Sequence, residues 1–369
     1  MAFPCPAGWF LLVVSVSGSV VSGQNAPKRS ASAIVAEFDG VSYPSMSQGT
    51  DPESLARFSK AIEDAAHRQE ACALELLESH PGHARVPELL RMRWQLLVNV
   101  DRDYVKVRRE TERYVGDDGG GANAAKRRDA RLVPLAHVAR AWACVEDDEL
   151  PAETRVADLE AALKIAPEDF LARAALLEFA QRKSCDPEFQ RDVAKRVAAL
   201  DASHGADGDD ARRLQKMLDH VGRPWPNEAA DATEPPLALA SLHGHPVVLS
   251  FFPSPYSDQE KDEAADLKAL AKEFGGDGLE VVVVHTIFSQ DDAADRKKHV
   301  ASLALPGRAH LEARDQGPAY LDRTLGADVP QLSCLLDRDG NLVALSFQAK
   351  SLRPALMQLG EAKAKRKPI

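Results

Sequence analysis

The sequence predicts an α + α/β protein: a helical N-terminal domain followed by a domain that alternates strands and helices. Two patterns carry this expectation. Apolar residues recur at helical spacing from Asp51 to His220, and from Val247 onward short, continuous apolar runs alternate with amphipathic stretches. A length of 369 residues agrees with two domains, at roughly 100–200 residues each. Hydrophobic residues make up 44% of the chain and charged residues 28%, enough apolar material for real cores. The formal charge of −10 argues against a nucleic-acid groove or attraction to anionic lipid.

Residues Gly8 to Val21 form an apolar, small-residue run followed by Ser22-Gly23-Gln24. This reads as a signal peptide over 1–23, with Val21 and Gly23 at the cleavage positions. An uncleaved anchor, which would bring the chain to a membrane, and a mis-assigned start are the alternatives. The run is too short and too rich in Ser and Gly for a spanning helix. Export would place the protein in a periplasmic, envelope or extracellular space.

The helical domain is expected over 24–220. Asp51-Pro52 supplies an N-cap and a first-turn proline, and Leu55, Phe58, Ile62, Ala65, Ala66, Cys72 and Leu76 form one face before His80-Pro81-Gly82 stops the helix. A second helix opens at Pro87 with Leu89, Leu90, Trp94 and Leu97 inward, and Tyr104, Val107 and Tyr114 begin a third. A Gly/Asp-rich loop follows at Gly116 to Asn123. Further helices are expected over Leu132–Val145, Ala152–Ile165, Glu168–Arg182, Pro187–Leu200 and Asp209–His220. The stretch Ala161 to Phe179 looks like one tetratricopeptide junction, a proline starting a new helix after an Ala/Leu face. No second copy follows at the period of about 34 residues, so irregular hairpins are expected in place of an array.

At Val221 the run GRPWPNEAADATEPP reads as a linker opening the second domain, 221–369. Strands are expected over Val247–Phe252, Leu279–Ile287, Leu332–Leu336 and Leu342–Phe347. Helices are expected over Asp258–Phe274, Asp291–Leu303, Pro318–Leu325 and Leu352–Ala362, before a solvated basic tail. The order βαβα(α)ββα requires a parallel pair joined by a helical crossover and an antiparallel hairpin turned by Asp337-Arg338-Asp339-Gly340-Asn341.

That order, with GHPVVLSFF, LEVVVVHTI and LGADVPQLSCLLDRDGNLVALSF, resembles the thioredoxin superfamily, and within it the exported TlpA/ResA-like branch. The resemblance spans roughly Val221 to Gly360. It implies a cis bond at Val329-Pro330 and a groove for extended peptide between Val329-Pro330 and the active-site helix start, Tyr256 to Glu260. It also implies Trp-Cys-x-x-Cys after the first core strand, where a helix N-terminus lowers the thiol pKa. This chain departs there. Counted from Val247-Val248-Leu249 the two cysteine positions fall on Tyr256 and Gln259, and aligned on Leu267 they fall on Ser257 and Glu260; no cysteine occurs from Asp186 to Ser333. A peroxiredoxin reading fails the same way, since its cysteine position would be Glu260.

The five cysteines are Cys5, Cys72, Cys144, Cys185 and Cys334, with no zinc spacing among them, and no metal or cofactor is expected. Cys334, between apolar neighbours, reads as a buried small hydrophobe. Cys72, Cys144 and Cys185 are either free core thiols or, after export, one disulfide and a free thiol. His285 reads as an interior, hydrogen-bonded histidine. The Asp337 hairpin lacks the distal Glu of a calcium loop. Ser257 with Glu260 reads as a capping box. The sequence points to an exported, redox-inactive thioredoxin-like protein that binds a protein or peptide. Its rivals are a thiol-disulfide oxidoreductase working through a non-motif cysteine and a helical envelope scaffold.

Overall fold

In a computed structural model, the described residues are 29–44, 52–115, 130–200, 206–226, 233–234, 238–252, 258–287, 298, 300–305, 307–313, 320–326 and 331–366. The Gly8–Val21 run, the Gly116–Asn123 loop, most of the expected Asp291–Leu303 helix, Tyr256, Ser257, Val329 and Pro330 lie outside them. Among the described residues no helix is long and apolar enough to cross a membrane. The chain forms two compact units, Met1–Arg93 and Trp94–Ile369.

The first unit contains α1 (Ala31–Gly40), α2 (Pro52–Ser79) and the start of α3 (Val86–Asn99). Helix α1 was not expected. Its start is fixed by Ser30, whose hydroxyl accepts from the Ala33 amide, and its Ile34 and Phe38 are buried. Phe38 keeps its place through the Gln69 side chain, which donates to the Phe38 carbonyl and accepts from the Tyr43 hydroxyl. Ala65, Ala66, Cys72 and Leu76 are buried as the spacing predicts. Arg93 pairs with Glu70 inside this unit, both of them buried.

The second unit continues through α4 (Tyr104–Val115), α5 (Leu132–Glu146), α6 (Ala152–Ile165), α7 (Phe170–Arg182), α8 (Pro187–Leu200) and α9 (Ala206–Leu218). Small residues line the contacts between neighbours: Ala136, Ala141, Ala162, Ala172, Ala175, Ala180 and Ala194 are all fully buried. Alanine here combines high helix propensity with close approach. Helix α7 starts at Phe170 and not at the expected Glu168, because Asp169 is the cap and accepts from the Leu171 amide.

The sheet has strands β1 (Thr233–Glu234), β2 (Val247–Phe252), β3 (Glu280–Ile287), β4 (Arg308–Ala313), β5 (Leu332–Leu336) and β6 (Leu342–Ser346), in the order β1-β4-β3-β2-β5-β6. Pairs β2/β3 and β3/β4 are parallel, while β2/β5, β5/β6 and β1/β4 are antiparallel. Helix α10 (Asp258–Phe274) makes the crossover between β2 and β3. Helix α11 (Tyr320–Leu325) precedes β5, and α12 (Arg353–Arg366) closes the chain. This is a thioredoxin-like sheet after a helical region. Strands β1 and β4 were not expected, since RAHLEA has too few apolar residues to read as a buried strand. Gly307 admits the chain to β4: its φ is +87° and a Cβ there would lie 1.9 Å from the Val281 carbonyl oxygen.

The composition shift at Val221 marks a change of secondary structure and not a break in packing. Leu218 and Met217 of α9 and Phe179 of α7 share one apolar core with Leu249 of β2, Val282 of β3, Leu336 of β5 and Leu345 of β6. The start of the expected linker is stitched along the hairpin: the Gly222 amide donates to Leu342 O at 2.7 Å, the Leu342 amide to Arg223 O at 2.9 Å and the Trp225 amide to Gly340 O at 2.9 Å, with Trp225 buried. The edge strand β6 is covered by the end of α7. The Phe347 amide and Ser346 Oγ donate to Gln181 O at 2.7 and 3.0 Å, and Gln190 Nε2 donates to Leu345 O at 3.1 Å. Carbonyls left over at a helix C-terminus thus cap an exposed sheet edge. The basic segment after Ala362 begins as helix, with α12 running to Arg366.

Candidate functional site

In open α/β sheets the functional end is where parallel strands deliver their C-termini. Here β2 ends at Phe252, and α10 begins at Asp258. The inward stripe of α10 holds Ala264, Leu267, Leu270 and Phe274, and the same stripe extended toward the N-terminus carries Glu260 and Glu263. Both carboxylates are buried.

The capping box expected of Ser257 with Glu260 turns on Ser257, which lies outside the described residues. Glu260 is fully buried, and its Oε1 lies 3.5 Å from Nδ1 of His285 on β3. A carboxylate in the first turn is also favoured by the helix dipole. His285, itself fully buried, meets the ring of Phe252 edge-on, with centroids 4.7 Å apart at 76°. The histidine expected to be interior and hydrogen-bonded is therefore interior and faces an acid of the helix start. The side chain of Gln259, like Tyr256, Ser257, Val329 and Pro330, lies outside the described residues.

Glu263 sits one turn further on. Ser250 Oγ of β2 donates to its Oε1 at 3.1 Å, and Ser333 Oγ of β5 at 2.5 Å. The Ala349 amide, in the turn after β6, lies 3.1 Å from each carboxyl oxygen, and Gln331 Nε2 reaches Oε2 at 3.5 Å. Burial pushes the Glu263 pKa up; the bonds from Ser333, Ala349 and Ser250 pull the other way without cancelling it. Sequence reasoning did not single out Glu263, Ser250 or Ser333. The available signal was polarity in the wrong place: a serine in the middle of VVLSFF, another opening the apolar LSCLL run, and a glutamate on the apolar stripe of a helix.

The described cysteines Cys72, Cys144, Cys185 and Cys334 are all free thiols. Burial raises the pKa of each. Cys144 donates to Asp158 Oδ2 at 3.1 Å, and the nearby acid raises its pKa further. Cys334 is fully buried on the face of β5 opposite Ser333, within the apolar core shared with the helices. Asp337 is wholly occupied by its own turn, accepting from the Asp339 amide at 2.9 Å and the Asn341 amide at 2.8 Å. Gly340 supplies the positive φ of that hairpin.

The chain matches no protein-family model and no curated protein. Among solved structures it is similar to a thiol:disulfide interchange protein DsbE from Chlorobium tepidum, at 20% identity over 34% of this chain and 83% of that one, TM-score 0.27. Peroxiredoxin Q of Xanthomonas campestris matches at 20% identity over 40% and 99%, TM-score 0.29. A DsbF homologue from Corynebacterium diphtheriae matches at 16% identity over 34% and 75%, TM-score 0.26. At such identities and scores the likeness adds nothing to the fold already given by strand order and direction.

Proposed function

We propose that this is an exported, redox-inactive protein of the TlpA/ResA-like kind, whose thioredoxin-like end binds an extended polypeptide. One observation carries the reading: the first turn of α10 holds Glu260, buried against His285, at a position that one of the two alignments assigns to a motif cysteine. A carboxyl group there neither forms a disulfide nor leaves as a thiolate. Backbone pairing to an extended chain beside Val329-Pro330 needs no thiol. The rival enzyme would have to work through a non-motif cysteine, Cys72, Cys144, Cys185 or Cys334, and burial pushes the pKa of each thiol up, away from the reactive thiolate.

The test uses the mature chain and a thiol-blocked unfolded polypeptide, reduced and carboxymethylated α-lactalbumin. Binding is expected without insulin reduction above background, and Val329→Asp is expected to weaken it about tenfold, ~1.4 kcal/mol. Insulin turnover abolished by Cys334→Ser, or binding indifferent to Val329→Asp, overturns the reading.

A further inference from the structure

Three oxygens behind the start of α10 form a closed triangle. Glu263 Oε1 to Ser333 Oγ is 2.5 Å, Ser333 Oγ to Ser250 Oγ is 2.8 Å, and Ser250 Oγ to Glu263 Oε1 is 3.1 Å. Each edge needs one hydrogen. With the carboxyl ionised only the two hydroxyl hydrogens are present for three edges; with it protonated there are three, and every oxygen donates once and accepts once. The Ala349 amide, equidistant from the two carboxyl oxygens, is satisfied in either state.

We propose that the Glu263 carboxyl is a proton-operated fastener: protonated, it closes the ring and ties α10 to β2, β5 and the turn after β6, and ionised, it leaves an edge empty and loosens that seam. An ionised carboxylate this deep also carries a desolvation cost, which outward rotation or entry of water relieves. Either movement takes the acceptor away from Ser333 and Ala349. It also frees Gln331, the residue that follows Pro330, so the device bears on that end of the sheet whether or not a peptide binds there.

The charged groups around the seam favour the protonated form. On its own helix Asp266 opposes ionisation, and Asp266 is itself pushed up by burial. Toward the helix start Asp262 is exposed, and Glu260, the next buried acid, faces His285 of β3. On the turn after β6, Lys350 is engaged by Asp148 at 2.8 Å. Strand β2 brings no titratable side chain to the ring, and Cys334 of β5 lies on the other face with its thiol raised. Among the described residues no cation pairs with Glu263.

The sign follows from the raised pKa. Between the unfolded and folded values the native state holds the proton more tightly, so this group's stabilisation is complete below the unfolded value of 4.5 and is lost as pH rises through the folded one. The experiment uses the full chain in two ways. Carboxyl 13C shifts of labelled glutamate, with the Glu263 signal assigned by its loss in Glu263→Gln, should show Glu263 titrating above the exposed glutamates of the same spectrum. Native-state amide exchange, corrected for intrinsic rate, should then accelerate at Ser333 and Ala349 relative to Val283 as pH rises. The expected acceleration is about tenfold for each unit by which the folded midpoint exceeds the unfolded one. In Glu263→Gln, where the amide keeps a donor at all pH values, the excess should vanish. Titration of Glu263 with the exposed glutamates, or exchange at Ser333 and Ala349 that merely follows Val283, overturns the proposal. The exchange arm needs only the native chain, so it decides even if Glu263→Gln does not fold.

Discussion

Toward the helices, β2 presents Val247, Leu249 and Phe251, and β5 presents Leu332, Cys334 and Leu336, all buried in one core with α7, α8 and α9. Toward α10 the same two strands present Val248, Phe252 and Leu335, but set Ser250 and Ser333 among them, opposite Glu263. One sheet thus has a face held chiefly by apolar burial and a face in which polar groups are buried in partnered sets. The first is insensitive to pH and gives cohesion. The second gives up some cohesion for geometry, because a buried carboxyl is tolerated only when its partners stand in fixed places. The polar set lies on the side of the sheet that faces α10.

The contrast breaks most completely if the helices are removed. A fragment of residues 221–369 exposes the helix-facing side of the sheet and uncovers the β6 edge. Each fully buried Leu, Val or Phe there contributes ~1.5–3 kcal/mol, against a whole-domain stability of ~5–15 kcal/mol. The fragment is expected to aggregate or show no cooperative melt by circular dichroism. A fragment that melts like the full chain would make the two cores independent.

A smaller effect sharpens the other face. Removing either Glu260 or His285 takes away one side of a buried polar contact at a cost of ~1–3 kcal/mol, whereas Glu260→Leu with His285→Leu is expected to cost less than the sum of the single changes. Urea denaturation of the four proteins gives the coupling, and strict additivity would mean that the 3.5 Å approach is incidental.

The smallest effect concerns the joint between the helices and the turn after β6. Burial acts to raise the Asp148 pKa, but hydrogen bonds from Lys350 and Lys183 outweigh it and hold the carboxyl down at about 2. A depressed acid stabilises above its unfolded value of 3.8 and loses that contribution as pH falls toward about 2. Because Asp148 is half exposed, Asp148→Ala should cost only ~1 kcal/mol or less near neutral pH. The difference from the native chain, followed by thermal melts, should disappear in acid; a difference that persists at low pH would show a packing role.

Much of the fold was legible in advance. Helical spacing placed Ala152–Ile165 and Pro187–Leu200, and short, largely apolar runs placed β2 and β5, because local patterning reports directly which residues are buried. Helix α1 escaped because it is short and preceded by polar residues. Strand β4 escaped because RAHLEA lacks an apolar run and is recruited by pairing with β3 across Val282↔Arg308 and Ile287↔Ala313. The missing thiols were legible as bare composition. The buried acids were not, since a glutamate at the start of an amphipathic helix reads as solvent-facing until strands β2, β3 and β5 are placed over it.

By itself the sequence determined the order of most helices and strands, the absence of a cysteine between Asp186 and Ser333, and the antiparallel hairpin at Asp337 to Asn341. These depend on neighbours along the chain. Tertiary structure alone decided that the helices from α7 to α9 and the sheet share a core, that Gln181 caps the β6 edge, and that Ser250, Glu263, Ser333 and Ala349 meet at one carboxyl. Ser333 and Glu263 are 70 residues apart in the chain, and no local pattern carries information about a contact at that separation. It exists because β5 lies antiparallel against β2 with Ser250 opposite Ser333, beneath the helix that joins β2 to β3.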